Sequence, residues 1–261
     1  MAQQQTETLN NLDTADMAAS VALKAAKKEL RTWMKGKLHQ IPEDVLVAQS
    51  NAVFQTLNKF PSYQKAQRVG IYLSMPKGEL QTDEIVRHAL VSGKQVFVPF
   101  LHKPKIPIIN TPVSVMDMVR LDSIADYEAL KRDSWGIPTI DKLTVHEREH
   151  ILGDETEKAD LDMILVPGVA FDLSPEGLVR RLGHGLGFYD YFLHRYSTSH
   201  GNELSLGPRT SPLLYGLALK EQFLGVGVES GLSIPVGEHD RLLHGVLVGD
   251  GTFVDTVNKT A

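Results

Sequence analysis

A strand, a helix and a second strand follow one another over residues 69–100, and this order constrains the fold more than any other feature. Residues 69–73 and 96–100 are short apolar runs typical of strands. The helix between them begins after Thr82, a good N-cap, and ends before Gly93, a good helix stop. Because such a unit joins two parallel strands by a right-handed crossover, the sequence predicts a parallel sheet.

The rest of the chain adds further elements of both kinds. Apolar side chains at helical spacing predict a helix over residues 21–38, and Pro42 with two acids after it predicts another over residues 42–60. Residues 163–166, Met-Ile-Leu-Val, have the all-apolar composition of a central parallel strand. Additional strands are predicted over residues 115–121, 214–219 and 245–248.

We predict a single three-layer α/β/α domain over residues 21–255, with a mostly parallel, Rossmann-like sheet. Residues 1–20 are polar and rich in glutamine and threonine, which predicts a disordered tail. The proline-rich residues 103–112 and the strongly charged residues 141–160 are predicted to be surface excursions. In open α/β sheets ligands gather beyond the carboxyl ends of strands, where the loop after Val166 would lie.

Composition limits the classes of function that suit this chain. The formal net charge of −5 argues against a general nucleic-acid binder, and the lack of cysteine excludes disulfides, thiol nucleophiles and cysteine-ligated zinc. No apolar run approaches the ~20 residues that a membrane span needs. Residues 1–20 contain no arginine and have neither signal-peptide nor good presequence character. We expect a cytoplasmic monomer, with a mitochondrial pool left open, that binds neither nucleic acid nor membrane.

Three glycines at alternate positions, Gly183, Gly185 and Gly187, lie between Arg181 and Asp190. Glycine permits positive φ and close approach of the backbone to a ligand. An apolar amphipathic run follows, so we expect the loop to lead into a helix N-terminus, whose unpaired N–H groups and positive dipole end attract anions. The spacing matches neither the Walker nor the dinucleotide fingerprint, and a tight structural turn is the alternative. The flanking arginine and aspartate favour a phosphate and a metal ion.

Two further pairs of charged residues suit a phosphate ligand and its metal ion, one pair each. Lys27 and Arg31 stand one turn apart on the first predicted helix and could both reach one anion, although lysines on such a helix are usually just solvated. Asp190 and Asp240, if folding brings them together, suit Mg²⁺, which favours one or two carboxylates plus phosphate oxygens. Taken singly, Asp190 is a favourable acid at a helix start, and Asp240 caps a turn.

Two other motifs each have two interpretations. His146 and His150 frame a His-Glu-x-x-His sequence, which on a helix binds zinc with the glutamate as base. The strongly charged neighbours of this motif instead favour a solvated surface. Trp135 is either a core aromatic residue or a wall for a flat ligand.

Seven segments in a fixed order carry a more specific signal. They are Lys-Lys-Glu-Leu-Arg at 27–31, Ile-Tyr-Leu-Ser-Met at 71–75 with Glu79, Met-Asp-Met-Val at 116–119, Ser-Trp-Gly-Ile-Pro at 134–138, Val-Pro-Gly-Val-Ala-Phe-Asp at 166–172, the loop at 181–190, and Glu-His-Asp at 238–240. Together they resemble the 5-formyltetrahydrofolate cyclo-ligase family, also called 5,10-methenyltetrahydrofolate synthetase. The similarity runs from about Lys27 to Leu247 and leaves out two insertions.

The resemblance implies a ligase that acts on two small molecules, a reduced folate and ATP, with Mg²⁺. In the family's reaction the formyl oxygen of 5-formyltetrahydrofolate is phosphorylated, and N10 then attacks the formyl carbon. Phosphate leaves to give 5,10-methenyltetrahydrofolate, and ADP is the other product. Such chemistry needs charge neutralisation and alignment rather than a protein nucleophile.

The resemblance also implies a role for each matching residue. Arg181 and Lys27 are the expected catalytic cations, and Asp190 and Asp240 are the expected Mg²⁺ ligands. The expected ATP site comprises Lys27, Lys28, Arg31, Arg181, Gly183, His184, Gly185, Leu186, Gly187, Phe188 and Tyr189. The expected folate pocket comprises Leu73, Glu79, Trp135, His184 and Phe188.

Three residues depart from the family pattern. His184 and Leu186 stand where vertebrate-like members carry arginine and lysine, and Phe188 replaces a tyrosine. The loop loses up to two fixed positive charges, because His184 is cationic only when its environment and the pH allow it. Two alternatives stay open: a relative that binds folate or nucleotide without turnover, and a zinc hydrolase that uses His146 and His150.

Overall fold

The computed structural model describes residues 2–104, 112–152, 160–198, 211–226, 231–238 and 240–257, with side chains from Met17 onward. The helices are α1 (Ala2–Leu38), α2 (Glu43–Lys59), α3 (Pro61–Lys65), α4 (Asp83–Val91), α5 (Ile124–Glu128) and α6 (Phe188–Thr198). The strands are β1 (Arg68–Ile71), β2 (Gln95–His102), β3 (Val115–Leu121), β4 (Lys131–Arg132), β5 (Pro138–Thr139), β6 (Met163–Val166), β7 (Ala170–Leu173), β8 (Val179–Leu182), β9 (Leu213–Ala218), β10 (Phe223–Val226), β11 (Gly245–Val248) and β12 (Phe253–Asp255).

The main sheet contains seven strands in the order β12-β11-β9-β6-β1-β2-β3. The five inner strands are parallel to one another, whereas the edge strands β3 and β12 are antiparallel to their neighbours. Val69 in β1 pairs with Val96 on one side and Met163 on the other, and all three side chains are fully buried. The prediction of an α/β fold with a mostly parallel sheet is confirmed.

The chain leaves β1 and β6 in opposite directions along this sheet. The connection through α4 runs from β1 to β2, and the connection through α6 runs from β6 to β9 on the other side. Since parallel crossovers are right-handed, α4 and α6 cover opposite faces. The neighbouring strands β1 and β6 therefore form a topological switch point, and ligands of open α/β sheets bind beyond the carboxyl ends of such strands.

A small second sheet, β10-β7-β8, takes β7 and β8 from the chain between β6 and α6 and β10 from the chain after β9, and the sequence did not predict it. Its buried face packs with Met34 of α1 in a minor core that also contains Leu182 and Ile234. Asp172 of β7 is fully buried, accepts two hydrogen bonds from Arg180 at 2.7 and 2.6 Å, and accepts a third from the Ile234 amide. The strands were missed because each is short and its pairing depends on tertiary contacts.

Helix α1 differs from the prediction at its N-terminal end. It begins at Ala2 rather than at residue 21, so the segment expected to be a disordered tail is helical in the structure. Glutamine, glutamate, leucine and alanine have good helix propensity, and adding a residue to an existing helix is easier than nucleating one. Despite the length of α1, no helix in the described part of the chain combines the length and apolar character needed to cross a membrane.

The charged segment at 141–160 also differs from its prediction over the part that the structure describes. His150 forms an antiparallel bridge with Val119, and the Ile151 amide donates to the carbonyl oxygen of Met118. Ile151 is buried, so this part of the segment packs along the edge of β3 and covers it. It does not project from the surface as a loop. Residues 153–159, and residues 105–111 of the proline-rich segment, lie outside the described residues.

Gly216→Ala should lower the melting temperature, because a Cβ at this position of β9 would lie 2.5 Å from the ring of Phe171. Phe171 is fully buried between Gly216 and Gly168, and overpacking of this kind costs about 1–3 kcal/mol. Gly36→Ala is the matched control, because a Cβ there meets no described atom within 4 Å and alanine favours a helix. Thermal denaturation of both variants tests this, and equal melting temperatures would contradict the packing argument.

Candidate active site

The candidate site lies at the switch point, and the loop after β1 forms one of its walls. In this loop, residues 72–82, the Tyr72 hydroxyl donates to the carbonyl oxygen of Leu80 at 2.9 Å. Thr82 is the N-cap residue of α4, as predicted, but its hydroxyl donates to the Tyr72 carbonyl oxygen at 2.7 Å instead of capping the helix. The buried Glu79 carboxylate accepts from the Met75 amide at 2.9 Å. The loop thus holds a carboxylate in a fixed position beside β1.

The glycine loop, residues 183–187, leads directly into α6, as the sequence predicted. Gly185 and Gly187 have φ values of +104° and +68°, in the left-handed region that favours glycine. Because α6 begins at Phe188, the amides of its first turn have no intrahelical acceptor. Most of the loop is exposed rather than sealed in the core, so these amides stand at an open surface that suits an anion.

Helix α1 brings two of its three predicted basic residues to the site, one at the glycine loop and one at Asp240. Arg31 Nε donates to the carbonyl oxygen of Gly183 at 2.7 Å, and Lys27 forms an ion pair with Asp240. Burial lowers the pKa of Arg31, an effect that the nearby Asp240 carboxylate opposes. Lys28 is exposed and faces another direction, because successive helix residues do not share a face. Its contact with ATP stays a prediction.

Arg181, on β8, occupies the centre of the site. Its side chain is only 6% exposed. Nη1 donates to the carbonyl oxygen of Pro167 at 3.2 Å, and Nη2 donates to Asp190 Oδ2 at 3.0 Å. The guanidinium carbon also lies 5.5 Å from the centroid of the Tyr189 ring. Arg181 therefore joins the loop after β6 to the first turn of α6.

The structure brings the two predicted metal ligands to one region. Asp190 Oδ1 accepts from the backbone amide of Arg241 at 3.3 Å, and Arg241 directly follows Asp240. Asp240 Oδ2 accepts from the Gly237 amide at 2.6 Å and faces Lys27. Over the described ranges, no three carboxylate or imidazole groups converge in a way that could hold a metal. A cation held here would therefore have two protein carboxylates and would need ligand oxygens as well.

Four of the predicted folate-pocket residues lie on the two loops that face each other across the site. Leu73 is buried at the start of the loop after β1, and Phe188 is half-buried at the start of α6. His184 Nε2 lies 3.7 Å from Glu79 Oε1, so the glycine loop and the loop after β1 are in contact. The predicted phosphate and folate regions thus adjoin.

Trp135 is 67% exposed, so its interpretation as a core residue is wrong. Its amide donates to Asp133 Oδ1 at 2.8 Å within a tight turn. Gly136 has a φ of +76°, and a Cβ there would lie 2.7 Å from the Pro76 ring. The turn that carries the exposed Trp135 therefore packs on the loop after β1 through Gly136. A role for Trp135 as a wall of the folate pocket remains a prediction.

The His-Glu-x-x-His interpretation as a zinc helix is wrong. The motif is not an α-helix: a single 3₁₀ turn, Val145–Glu147, ends inside it. The His146 side chain is 73% exposed, whereas His150 Nε2 donates to the carbonyl oxygen of Val145 at 2.9 Å. Glu149 forms an ion pair with Arg68 at 2.6 Å. The spacing of the two histidines supports zinc binding only on a helix, and that helix is absent from this described segment.

Three contributions to the site were given no role from the sequence, although Tyr72 and Pro167 lie in segments that carry the family resemblance. Tyr72 positions the first loop through its hydroxyl, and Pro167 and Arg241 contribute backbone groups. A backbone carbonyl or amide can be supplied by almost any residue type, so no motif marks it. Only the path of the chain places these groups beside Arg181 and Asp190.

Comparison with known proteins identifies the family of this chain. A model of the 5-formyltetrahydrofolate cyclo-ligase family matches residues 23–249. The chain belongs to this family. The probable 5-formyltetrahydrofolate cyclo-ligase of Caenorhabditis elegans is 36% identical over 237 residues, covering 90% of this chain and 99% of the relative. The 5-formyltetrahydrofolate cyclo-ligase of Mus musculus is 31% identical over 232 residues, covering 89% and 98%.

A solved structure supports the same fold for this cyclo-ligase family member. The NMR structure of the Aquifex aeolicus 5,10-methenyltetrahydrofolate synthetase matches with a TM-score of 0.58 and covers 90% of this chain and 95% of that chain. At 22% sequence identity this similarity concerns the fold alone. The resemblance drawn from the seven sequence segments is therefore confirmed at the level of family and fold.

Lys27→Met should lower the melting temperature of the ligand-free cyclo-ligase homologue. The variant leaves the Asp240 carboxylate, which is 26% exposed, without its ammonium partner. A partly buried ion pair is intermediate in strength between exposed and buried pairs, so we expect the free energy of unfolding to fall by about 1–3 kcal/mol. Lys28→Met removes the same charge at an exposed neighbouring position and is the control. Equal thermal shifts in the two variants would mean that the ion pair does not anchor α1.

Proposed function

We propose that this protein is an ATP- and Mg²⁺-dependent 5-formyltetrahydrofolate cyclo-ligase that forms 5,10-methenyltetrahydrofolate, ADP and phosphate. The observation that carries the proposal is the contact between the glycine loop and the loop after β1, seen in the approach of His184 to Glu79. An anion-binding helix end and a partly apolar pocket thereby adjoin at the switch point. Membership of the cyclo-ligase family supports the assignment of these two regions to ATP and folate.

The ATP phosphates would bind where the glycine loop meets α6. The first-turn amides of α6 supply hydrogen-bond donors, and Arg31 and Arg181 approach the loop from two sides. Lys27 adds a third positive charge from α1. These three fixed cations are kept although His184 and Leu186 lack the fixed charges of the family pattern, so the departures are compatible with nucleotide binding.

Mg²⁺ would be held by Asp190 and Asp240, which fit it by chemistry and by position. Both are carboxylates, hard oxygen ligands of the kind Mg²⁺ prefers, and the Asp190 contact with the Arg241 amide places them in one region. When bound, the ion supplies charge neutralisation for the phosphate oxygens. Arg181 and Lys27, now paired with these two carboxylates, would then each exchange a carboxylate for a phosphate oxygen.

The reduced folate would bind along the loop after β1. Leu73 and Phe188 offer apolar contacts to the flat ring system, and the Glu79 carboxylate accepts hydrogen bonds from ring N–H groups. The exposed indole of Trp135 would stack on the part of the ligand that leaves the pocket. The fixed position of Glu79, held by the Met75 amide, sets the orientation of the formyl group relative to the glycine loop.

The proposed reaction has two steps. The formyl oxygen attacks the γ-phosphorus of ATP, the bond to the bridging oxygen breaks, and ADP leaves. N10 then attacks the formyl carbon, loses its proton, and the carbon–oxygen bond breaks to release phosphate. Arg181 neutralises charge on the phosphoryl group, and the two loops align the reacting atoms, which is how phosphoryl transfer is chiefly catalysed.

We further propose that the enzyme works as a cytoplasmic monomer. The lack of cysteine suits a reducing compartment, and the net charge of −5 argues against a general nucleic-acid binder. Localisation of a tagged full-length chain and its mass in solution test these two points. A purely mitochondrial signal, or a stable dimer at assay concentration, would contradict them.

A spectrophotometric assay tests the function directly. Purified protein, 5-formyltetrahydrofolate and MgATP should give the absorbance of the methenyl product together with ADP, and omission of ATP should abolish both. Binding of either ligand without ADP formation would favour a relative that has lost turnover.

The variant with both His146→Ala and His150→Ala should keep full activity, since neither histidine lies in the proposed site.

Arg181→Ala should lower kcat by about a hundredfold or more, in line with the loss of other groups that stabilise developing charge. The reason is that Arg181 is the buried cation between Pro167 and Asp190 at the centre of the site. Arg87→Ala is the control, because Arg87 pairs with Asp83 and Glu128 at the surface of α4. Steady-state kinetics with both substrates near saturation measures the effect, and unchanged turnover would make Arg181 structural.

Asp190→Asn should chiefly raise the Mg²⁺ concentration needed for half-maximal activity, because a neutral amide is a weaker ligand for the ion. It also keeps the shape of the side chain and its acceptor for the Arg241 amide. Titration of activity with Mg²⁺ at fixed ATP measures the shift. Asp141→Asn, an exposed turn residue, serves as the control. A wild-type metal requirement in Asp190→Asn would remove Asp190 from the metal site.

A further inference from the structure

The Tyr189 hydroxyl is a buried polar group that the fold does not satisfy. Tyr189 follows the first residue of α6 and is 9% exposed, and its hydroxyl oxygen is sealed from solvent. Within the described residues this hydroxyl has no hydrogen-bond partner. Leaving a buried hydroxyl unpaired costs about 1–3 kcal/mol, so a fold has a reason to pair or replace it. Phenylalanine would fill the same space without that cost.

The surroundings of this hydroxyl place it between the two proposed substrate regions. The Arg181 guanidinium lies 5.5 Å from the centre of its ring on the phosphate side. Glu79 and Tyr72, from the loop after β1, are close enough on the folate side to interact with it electrostatically. Tyr189 therefore lies between Arg181, in the proposed phosphate region, and the loop after β1, in the proposed folate region.

Tyr189 is suited to donate a hydrogen bond and unsuited to ionise. A phenol in water loses its proton only at pH ~10, so at neutral pH its O–H is a neutral hydrogen-bond donor. The phenol accordingly keeps its proton throughout the neutral range. A neutral donor adds a hydrogen bond at the junction without adding charge beside Arg181.

We propose that the Tyr189 hydroxyl donates a hydrogen bond to an oxygen of the phosphoryl group while that group passes from ATP to the formyl oxygen. The phosphoryl oxygens carry negative charge throughout the transfer, so they are strong acceptors. The formyl oxygen is the nucleophile, and a donor on it would withdraw the electrons that attack phosphorus. No covalent bond of Tyr189 forms or breaks, and its proton stays on the phenol.

This inference rests on the proposed function and assigns Tyr189 a role in the reacting geometry. A donor that reaches the phosphoryl oxygens only while the group is midway between ATP and the formyl oxygen stabilises the transition state more than the bound substrates. Its removal should therefore appear in kcat rather than in the KM values. A structural role would instead appear as a change in stability, with no preference between the two kinetic constants.

Tyr189→Phe tests the proposal because it removes only the hydroxyl. We expect kcat to fall by about tenfold to a hundredfold, the range for a hydrogen bond to a charged group. The KM for ATP and for 5-formyltetrahydrofolate should change far less. The melting temperature should stay the same or rise, because an unpaired buried hydroxyl has been removed.

Tyr63→Phe is a closely matched control. Tyr63 is 1% exposed, its hydroxyl also has no partner within the described residues, and a cation, Lys94, lies 5.0 Å from its ring centre. It belongs to α3 and lies outside the switch-point loops. We expect Tyr63→Phe to keep wild-type kcat, so that the loss in Tyr189→Phe is due to its place at the junction rather than to removal of any buried hydroxyl.

Several results would overturn the assignment. Wild-type kcat in Tyr189→Phe, or an equal loss in Tyr63→Phe, would remove the hydroxyl from the reaction. A fall in melting temperature of Tyr189→Phe would show a structural partner. Calorimetry with a non-hydrolysable ATP analogue and with 5-formyltetrahydrofolate separates the two ligands, and weakened folate binding alone would make a folate oxygen the acceptor. If the wild-type protein forms no methenyl product, the proposed function fails before this comparison begins.

Discussion

The reversal of strand order between β1 and β6 is the constraint on which the site depends. Right-handed crossovers carry the chain from β1 towards β2 and from β6 towards β9, so the loops leaving two neighbouring strands diverge and leave a crevice between them. Glu79 reaches this crevice from the first loop, and the Pro167 carbonyl oxygen from the second. Arg181 crosses from β8 to bind the second loop and α6 together. The geometry of the sheet thus brings together groups from four segments.

Charge balance within the crevice supports the proposal that a nucleotide binds there together with its metal rather than either alone. Lys27 faces Asp240, and Arg181 faces Asp190, so each cation already has a carboxylate partner. A phosphate alone would draw the cations away and leave two partly buried carboxylates unpaired, which is unfavourable. A divalent ion alone would leave the cations unpaired in the same way. A phosphate and a divalent ion that bind together would give each cation a phosphate oxygen as partner and each carboxylate the metal ion.

The local sequence pattern predicted most of the helices and strands of the main sheet well. It predicted poorly which side chains are exposed and which segments pair. Three strands, Val115–Leu121, Met163–Val166 and Gly245–Val248, have the bounds expected from their apolar runs. The glycine loop leads into α6 as expected, since consecutive residues specify a turn and a helix start. The zinc interpretation of the His146 motif, which its charged neighbours did not favour, is wrong because the spacing of two histidines indicates a metal site only on a helix. This segment is not an α-helix and pairs with the edge of β3. The interpretation of Trp135 as a core residue is wrong because the exposure of its side chain depends on which segments pack against the turn.

By itself, the sequence determined the parallel α/β class, the glycine loop that leads into a helix, and the family, because each is encoded in residues that are close together in the chain or in a fixed order of segments. It also named the charged residues of the site. Only the tertiary structure decided their pairing: Lys27 with Asp240, Arg181 with Asp190, and the Tyr189 hydroxyl left without a partner among the described residues. The pairing and burial of side chains depend on contacts between segments that are distant in the chain, and a local sequence pattern does not specify those contacts.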